Sequence, residues 1–135
     1  MPGEIHTKRW DDPASPGDGT RLLVTRYRPR GLAKADETWT AWMPDLGPSK
    51  ALHAGAYGKG GEKIHWERYR QAYLREMRTQ AAQIAALAER VCGGETITLL
   101  CSSACVRESR CHRSLLKSLI ESSMSSQGPT AADGE

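Results

Sequence analysis

Two apolar segments, far apart in the chain, constrain its fold more than any other feature of the sequence. They are residues 21–27 (RLLVTRY) and residues 96–101 (TITLLC). The second segment is β-branched or apolar at almost every position, as is typical of a parallel strand covered on both faces. The first contains an apolar run that is bounded by Gly19 and by the turn at residues 29–31, which indicates a buried strand. We therefore predict two central strands of one sheet.

The chain between these strands carries helical periodicity. One amphipathic helix is predicted within residues 63–78, and the same period continues from residue 79 to Gly93, as a second helix or as an extension of the first. A last helix with an apolar face follows the second strand. Strands separated by helices indicate a parallel or mixed sheet with right-handed crossovers. The apolar stripe of the first helix, interpreted as core packing, consists of Trp66, Tyr69, Tyr73 and Met77.

The predicted fold class is α/β, with a small parallel or mixed sheet of three to four strands flanked by four to five helices. The 135 residues suit a single domain, which we place at residues 1–120. A further strand is expected within residues 5–10, and short helices and turns within residues 32–57. Residues 121–135 lack apolar periodicity and predict a flexible C-terminal tail. One of the short helices is expected to carry Trp39, Trp42, Met43 and Leu46.

Charge and composition restrict the possible partners. The net charge is +3, and because the last fifteen residues hold three acids and no base, the rest of the chain is more basic than this value. Thirteen of the nineteen bases are arginine, whose planar guanidinium suits phosphate, so we expect a phosphate-bearing small molecule or nucleic acid as partner. No segment suits a bilayer or a signal peptide, so we expect a cytoplasmic protein with reduced thiols and no membrane contact.

Parallel strands bring their following loops to one edge of the sheet, where α/β proteins bind ligands. The loop after the first strand supplies Arg28 and Arg30, and the second strand leads to Cys111-His112-Arg113 at the first turn of the last helix. Backbone N–H groups and the helix dipole favour an anion at that place. The helix dipole destabilises a basic side chain such as Arg113 at this place unless a negative group lies beside it, either Glu108 or a bound anion. We predict a pocket for phosphate or a nucleotide, lined by Arg28, Arg30, His112 and Arg113.

The candidate catalytic residues are Cys111, as a nucleophile, and Asp45, as an acid or base. The helix N-terminus would increase the thiolate fraction of Cys111, although a buried and inert thiol is the competing interpretation. His112 is adjacent in sequence and would project about 100° away on a helix, so we expect it to donate to a backbone carbonyl or to a ligand instead. A cysteine-dependent hydrolase is thus an alternative function.

Two further patterns involve the other cysteines. Cys101, Cys105, Cys111 and His112 could supply zinc ligands, but their spacing is unlike the paired ligands of structural zinc sites, so we predict no metal and no cofactor. Residues 101–107 (CSSACVR) match the Cys-x5-Arg spacing of cysteine-dependent phosphatases, in a loop that lacks glycine. Cys101 is therefore an alternative nucleophile. A disulfide between two of these thiols and a nucleic-acid-binding or structural module remain open alternatives.

Four segments resemble the uncharacterised family called domain of unknown function 488, in its YeaO-like branch. They are residues 17–34, 38–52, 65–77 and 97–120. The resemblance implies a small α/β fold, a cytosolic protein without known cofactor, and no established activity. The chain departs from the family pattern in two places, because Thr25 stands where Asp is general and Tyr27-Arg28 where Leu-Trp is general. The family's motif positions are occupied by Arg30, Gly31, Asp45, Pro48, Ser49, Cys111, His112 and Arg113.

Overall fold

The protein is a layer of helices on a four-stranded parallel sheet. A computed structural model describes residues 2–56, 58, 61, 63–102 and 110–133, with side chains up to residue 126. The strands follow the order β1-β4-β2-β3, and each neighbouring pair is parallel. The predicted α/β class with a small sheet is confirmed. Along the chain the elements are β1 (Ile5–Arg9), β2 (Thr20–Leu23), β3 (Ala41–Trp42), α1 (Lys50–Ala56), α2 (Trp66–Met77), α3 (Ala81–Cys92), β4 (Ile97–Cys101) and α4 (His112–Asp133).

Strand β4 lies inside the sheet, as its apolar sequence predicts. It pairs with β1 on one side, where Ile97 is opposite Ile5, and with β2 on the other, where Leu99 is opposite Leu22. All five residues of β4 are buried. Residues buried on both faces and paired on both edges leave the strand no freedom to shift its register. The carboxyl end of β4, from which the chain leads to α4, is therefore fixed in place.

The helices pack on one face of the sheet and form the main core. The predicted stripe on α2 is confirmed as core packing, since Tyr69, Tyr73 and Met77 are all buried. The hydroxyl of Tyr73 donates to the carbonyl oxygen of Leu46 at 2.7 Å, which satisfies its polar atom inside the core. Burial raises the pKa of Tyr73 well above its ordinary value. Helix α3 is a separate helix, divided from α2 by a 3-10 turn at Arg78–Gln80.

The opposite face of the sheet is covered by a polar loop and a cluster of buried charged side chains. Arg21 of β2 is buried and forms an ion pair with Asp18, and Lys8 of β1 approaches the same carboxylate at 2.8 Å. Thr98 of β4 donates to the backbone oxygen of Asp18 at 2.7 Å. Burial alone would raise the pKa of Asp18, but hydrogen bonds from Lys8, the Ser15 amide and Arg21 outweigh it and hold the pKa well below its ordinary value.

Strand β2 is shorter than predicted. The amide of Val24 still donates to the Leu100 oxygen at 3.0 Å, but Thr25 then donates through its hydroxyl to the Tyr27 oxygen at 2.7 Å, which turns the chain away. A hydroxyl that bonds to nearby backbone competes with the strand ladder. The predicted extension of this strand to Tyr27 is therefore wrong, although its central position is confirmed.

The short helix predicted through Trp39 and Leu46 is also wrong. Trp42 lies in β3 instead, and a 3-10 turn occupies Pro44–Leu46. The cause is the open edge of β2, because the amides flanking β3 donate to backbone oxygens of β2: Thr40 to Arg21 at 2.7 Å and Met43 to Leu23 at 2.8 Å. Backbone pairing with a neighbouring strand outweighs helical spacing in so short a segment.

Helix α4 begins at His112, next to the predicted start, and continues to Asp133. It includes residues that we assigned to an irregular tail from residue 121, and Met124 packs against the core. The backbone of that segment is thus helical, while its flexibility stays a prediction. Within the described residues, neither α4 nor any other helix is both long enough and apolar enough to cross a membrane.

We expect Asp18→Asn to destabilise the protein by about 3 kcal/mol, because it leaves Arg21 and Lys8 without their shared counter-charge. Urea unfolding at neutral pH measures this loss. Because folding lowers the pKa of Asp18 below 3.8, its stabilisation is present above about pH 4 and is lost as the pH falls further. The difference in free energy of unfolding between wild type and variant should therefore become smaller at acid pH.

Asp11→Asn, at an exposed position, is the control and should change the free energy of unfolding by less than about 0.5 kcal/mol. An Asp18→Asn variant as stable as this control would contradict the role of the cluster.

Candidate functional site

The residues at the start of α4 are buried at the carboxyl edge of the sheet. Cys111 is 3% exposed, His112 is 5% exposed and Arg113 is 6% exposed. Two reactive groups and a charge are seldom buried side by side at a helix start unless they have partners there. The preceding segment, residues 103–109, lies outside the described residues, and with it the candidates Cys105, Arg107 and Glu108.

His112 connects α4 to the end of β2. Its Nε2 atom lies 2.6 Å from the backbone oxygen of Val24. A carbonyl oxygen only accepts, so Nε2 carries the hydrogen and donates it. The His112 ring also packs against the ring of Tyr73, with 5.5 Å between centroids. The backbone-carbonyl contact expected for this histidine is thus present, and it fixes both the tautomer and the orientation of the ring.

Cys111 faces the second nitrogen of the same ring. The distance from Cys111 Sγ to His112 Nδ1 is 4.0 Å, and in the neutral ring this nitrogen carries the lone pair. Our expectation that a helix would point the two side chains apart is wrong here, because α4 begins at His112 and Cys111 precedes it. The contact is long for a hydrogen bond, but it places a proton acceptor next to the thiol.

Arg113 is the unusual member of this group. It is buried, yet its Nε atom has no hydrogen-bond partner, and the described residues contain no ion pair with it. The hydrogen bond from the Arg9 amide lowers the pKa of Asp12, and the charges of Arg9 and Arg113 lower it further, so the Arg113 guanidinium lies in the electrostatic range of this carboxylate. A buried charge without a bonded partner costs several kcal/mol.

The two arginines of the loop after β2, Arg28 and Arg30, differ in their contacts. Arg28 pairs with Glu37 at 2.7 Å, and its guanidinium lies 5.8 Å from the centre of the Trp39 ring. Arg30 is exposed in the turn that follows. Within the described part of the chain, no recorded contact joins Arg28 or Arg30 to Arg113. Their convergence over the start of α4 therefore stays a prediction.

Asp45 belongs to a structural junction. Its carboxylate is 60% exposed and lies 3.6 Å from Arg26, whose Nε donates to the Pro48 oxygen at 2.9 Å. The next residue, Ser49, accepts from the Leu52 amide at 3.1 Å and so caps α1. The motif around Asp45 thus has a structural explanation, since it attaches α1 to the end of β2. A catalytic role for Asp45 stays a prediction.

Sequence reasoning missed two members of the site. The Val24 oxygen, which holds His112, lies just beyond the last residue of β2, and its role depends on where that strand ends. Asp12 lies in a turn-rich segment that we interpreted only as a loop. Neither residue carries a signal that would separate it from ordinary strand or turn residues.

The described cysteines form no disulfide with one another. Within the described ranges, no three histidine, cysteine or acidic residues are close enough to hold a metal ion. Because Cys105 lies outside those ranges, the structure does not test the zinc arrangement or the Cys-x5-Arg loop. Cys101 itself is fully buried at the end of β4.

A parallel sheet with a cysteine–histidine–arginine group at its carboxyl edge defines a small α/β domain, and sequence comparison supplies its family. Residues 5–124 match the family DUF488-N3a, described as the active DUF488-N3 subclade. The chain therefore belongs to this family, as its motifs indicated. It is also similar to the uncharacterized protein YeaO of Escherichia coli (strain K12), at 33% identity over 99 residues, which cover 73% of this chain and 83% of the relative. No solved structure matches the chain.

Burial predicts the order in which the thiols react. Cys111 is 3% exposed, whereas Cys92 at the end of α3 is half-buried. We expect iodoacetamide to modify Cys92 first in the native protein, and Cys111 much more slowly. Peptide mass spectrometry over time measures both, and the protein in denaturant is the control, in which the two rates should converge. Rapid modification of native Cys111 at neutral pH would contradict this expectation and would favour a reactive nucleophile.

Proposed function

We propose that this protein binds a small anion, inorganic phosphate or the phosphate group of a nucleotide, at the start of α4. The observation that carries the proposal is the buried side chain of Arg113, which has no hydrogen bond or ion pair within the described chain. Arginine keeps its charge inside a protein, so it cannot avoid the cost of burial by losing a proton. A bound anion would remove that cost.

The position of Arg113 in the helix supports the same ligand. The first turn of α4 presents backbone N–H groups and the positive end of the helix dipole, which destabilise a cation and stabilise an anion. A phosphate group at this place would accept from both the helix and the guanidinium. Asp12 shares the neighbourhood, but Arg9 already contacts its carboxylate at 3.5 Å.

His112 contributes to the proposed pocket mainly by position. Its Nε2 is engaged with Val24, so it attaches the anion-binding turn to the sheet. Because residues 111–113 are all buried, the ligand must be small or must insert only its phosphate group. Contributions of Arg28 and Arg30 from the rim remain part of the proposal, as charges that would attract the anion.

A second candidate is a cysteine-dependent phosphohydrolase. It is favoured by the contact of 4.0 Å between Cys111 Sγ and His112 Nδ1, next to the proposed anion site. In such an enzyme the thiol proton passes to the imidazole and the thiolate attacks phosphorus, and the imidazolium returns the proton to the leaving oxygen, so that an alcohol departs. Water then hydrolyses the thiophosphate to inorganic phosphate and the free thiol. Turnover of p-nitrophenyl phosphate that Cys111→Ser abolishes would support it. Phosphate binding without turnover would support the binding function and would contradict the phosphohydrolase.

We expect phosphate to raise the melting temperature of the wild type and to have no such effect on Arg113→Met. At about 100 times its dissociation constant, a ligand stabilises the native state by about 2.7 kcal/mol. Methionine has a similar length and no charge, so the unliganded variant should be as stable as the wild type or more stable. Thermal unfolding with phosphate, compared with chloride at equal ionic strength, measures both effects.

The exposed neighbour Arg110 provides the matched control. Arg110→Gln should keep the response to phosphate, because its guanidinium lies at the surface. Loss of about 3 kcal/mol in unliganded Arg113→Met would show that Arg113 has a structural partner, such as Glu108, and would contradict the proposal. An equal phosphate response in wild type and Arg113→Met would contradict it as well.

A further inference from the structure

Two large aromatic side chains are exposed on the side of the sheet that ends in β3. Tyr27 is 47% exposed and Trp42 is 39% exposed, whereas Tyr69 and Tyr73 of α2 are buried. Both exposed rings flank the turn that follows β2. We call them the Tyr27–Trp42 surface. Exposed aromatic side chains are enriched at contact surfaces.

Neighbouring groups hold both rings in position. The Trp42 indole nitrogen donates to the Thr25 oxygen at 2.8 Å, and the Thr25 hydroxyl donates to the Tyr27 oxygen at 2.7 Å. The Tyr27 ring packs edge-on against His53, with 4.9 Å between centroids and 77° between planes. Rings that are already held in position lose little conformational entropy when a flat ligand stacks on them.

The charges around this surface favour an anionic partner. Residues 26–45 contain four bases and three acids, and two of the bases are in ion pairs with carboxylates of the same segment. Arg30 and Lys34 are exposed and have no ion pair within the described chain, against one unpaired acid, Asp36. The remaining charge therefore complements a polyanion.

From these observations we infer that the Tyr27–Trp42 surface binds single-stranded nucleic acid. The two rings provide stacking faces for bases, and Arg30 and Lys34 provide contacts for the phosphates between them. In a duplex the faces of the bases are stacked on one another, so a duplex could contact this surface only through its phosphates and the basic side chains. This inference goes beyond the anion pocket, because it uses other residues and does not require Arg113.

The test measures binding of a fluorescein-labelled single-stranded oligothymidylate of about 15 nucleotides, long enough to reach several stacking groups. Fluorescence anisotropy is recorded at about 50 mM and about 200 mM salt, between which phosphate contacts weaken. We expect Tyr27→Ala to weaken binding about tenfold, and Tyr27→Trp to retain it, because one base loses or keeps its stacking partner. Lys34→Gln should reduce the salt slope by about one.

Two controls separate this surface from the rest of the protein. Lys117→Gln removes the same charge beside β1, at the other end of the sheet, and should leave binding unchanged. Inorganic phosphate added at constant ionic strength should not displace the oligonucleotide, whether or not the anion site exists. The inference is overturned by a wild type that does not bind at low salt, by Tyr27→Ala that binds as well as Tyr27→Trp, or by equal affinity for duplex. Concentration-dependent dimers in analytical ultracentrifugation that Tyr27→Ala abolishes would assign the surface to self-association instead.

Discussion

The double pairing of β4 is the constraint on which the rest of the structure depends. Because β1 and β2 flank this strand in parallel, its register and direction are fixed, and the chain leaves the sheet at the same edge as the end of β2. Helix α4 begins within reach of Val24, where His112 donates to the backbone oxygen of that residue. The candidate site thus lies at the carboxyl edge of the sheet, where α/β proteins commonly bind ligands.

The two buried arginines differ in how their charge is compensated within the described chain. Arg21 donates to Asp18 and to two backbone oxygens, those of Asp12 and Thr38, so its burial is compensated within the fold. Arg113 is buried to the same extent and has no such partners in the described chain. The buried charge of Arg21 is compensated by its bonds, whereas a buried charge without bonded partners, as at Arg113 among the described residues, lowers the stability of the fold. The anion proposed above would supply Arg113 with the counter-charge that the described chain does not provide.

Sequence alone predicted what depends on long patterns and missed what depends on short ones. The apolar run of β4 and the stripe from Trp66 to Met77 are strong periodic signals, and both are present as predicted. The turn of the chain away from the sheet after Val24 depends on the hydrogen bond of one Thr25 hydroxyl, and β3 forms because the edge of β2 is available for pairing. The periodicity of the sequence contains neither kind of information. The same limit applies to Arg113, whose lack of a bonded partner among the described residues is visible only in three dimensions.

The turn after β2 links the two proposed surfaces. Successive carbonyl groups hold a side chain from each, because the Val24 oxygen accepts from His112 and the Thr25 oxygen accepts from Trp42. A change in this short turn can therefore affect both the start of α4 and the exposed indole, because only the φ and ψ rotations of Thr25 separate the two carbonyl groups. The family resemblance implies Asp at the position where this chain has Thr25. The Thr25 side chain bonds toward Tyr27 rather than toward His112, so we expect this difference to affect the proposed Tyr27–Trp42 surface more than the proposed anion site.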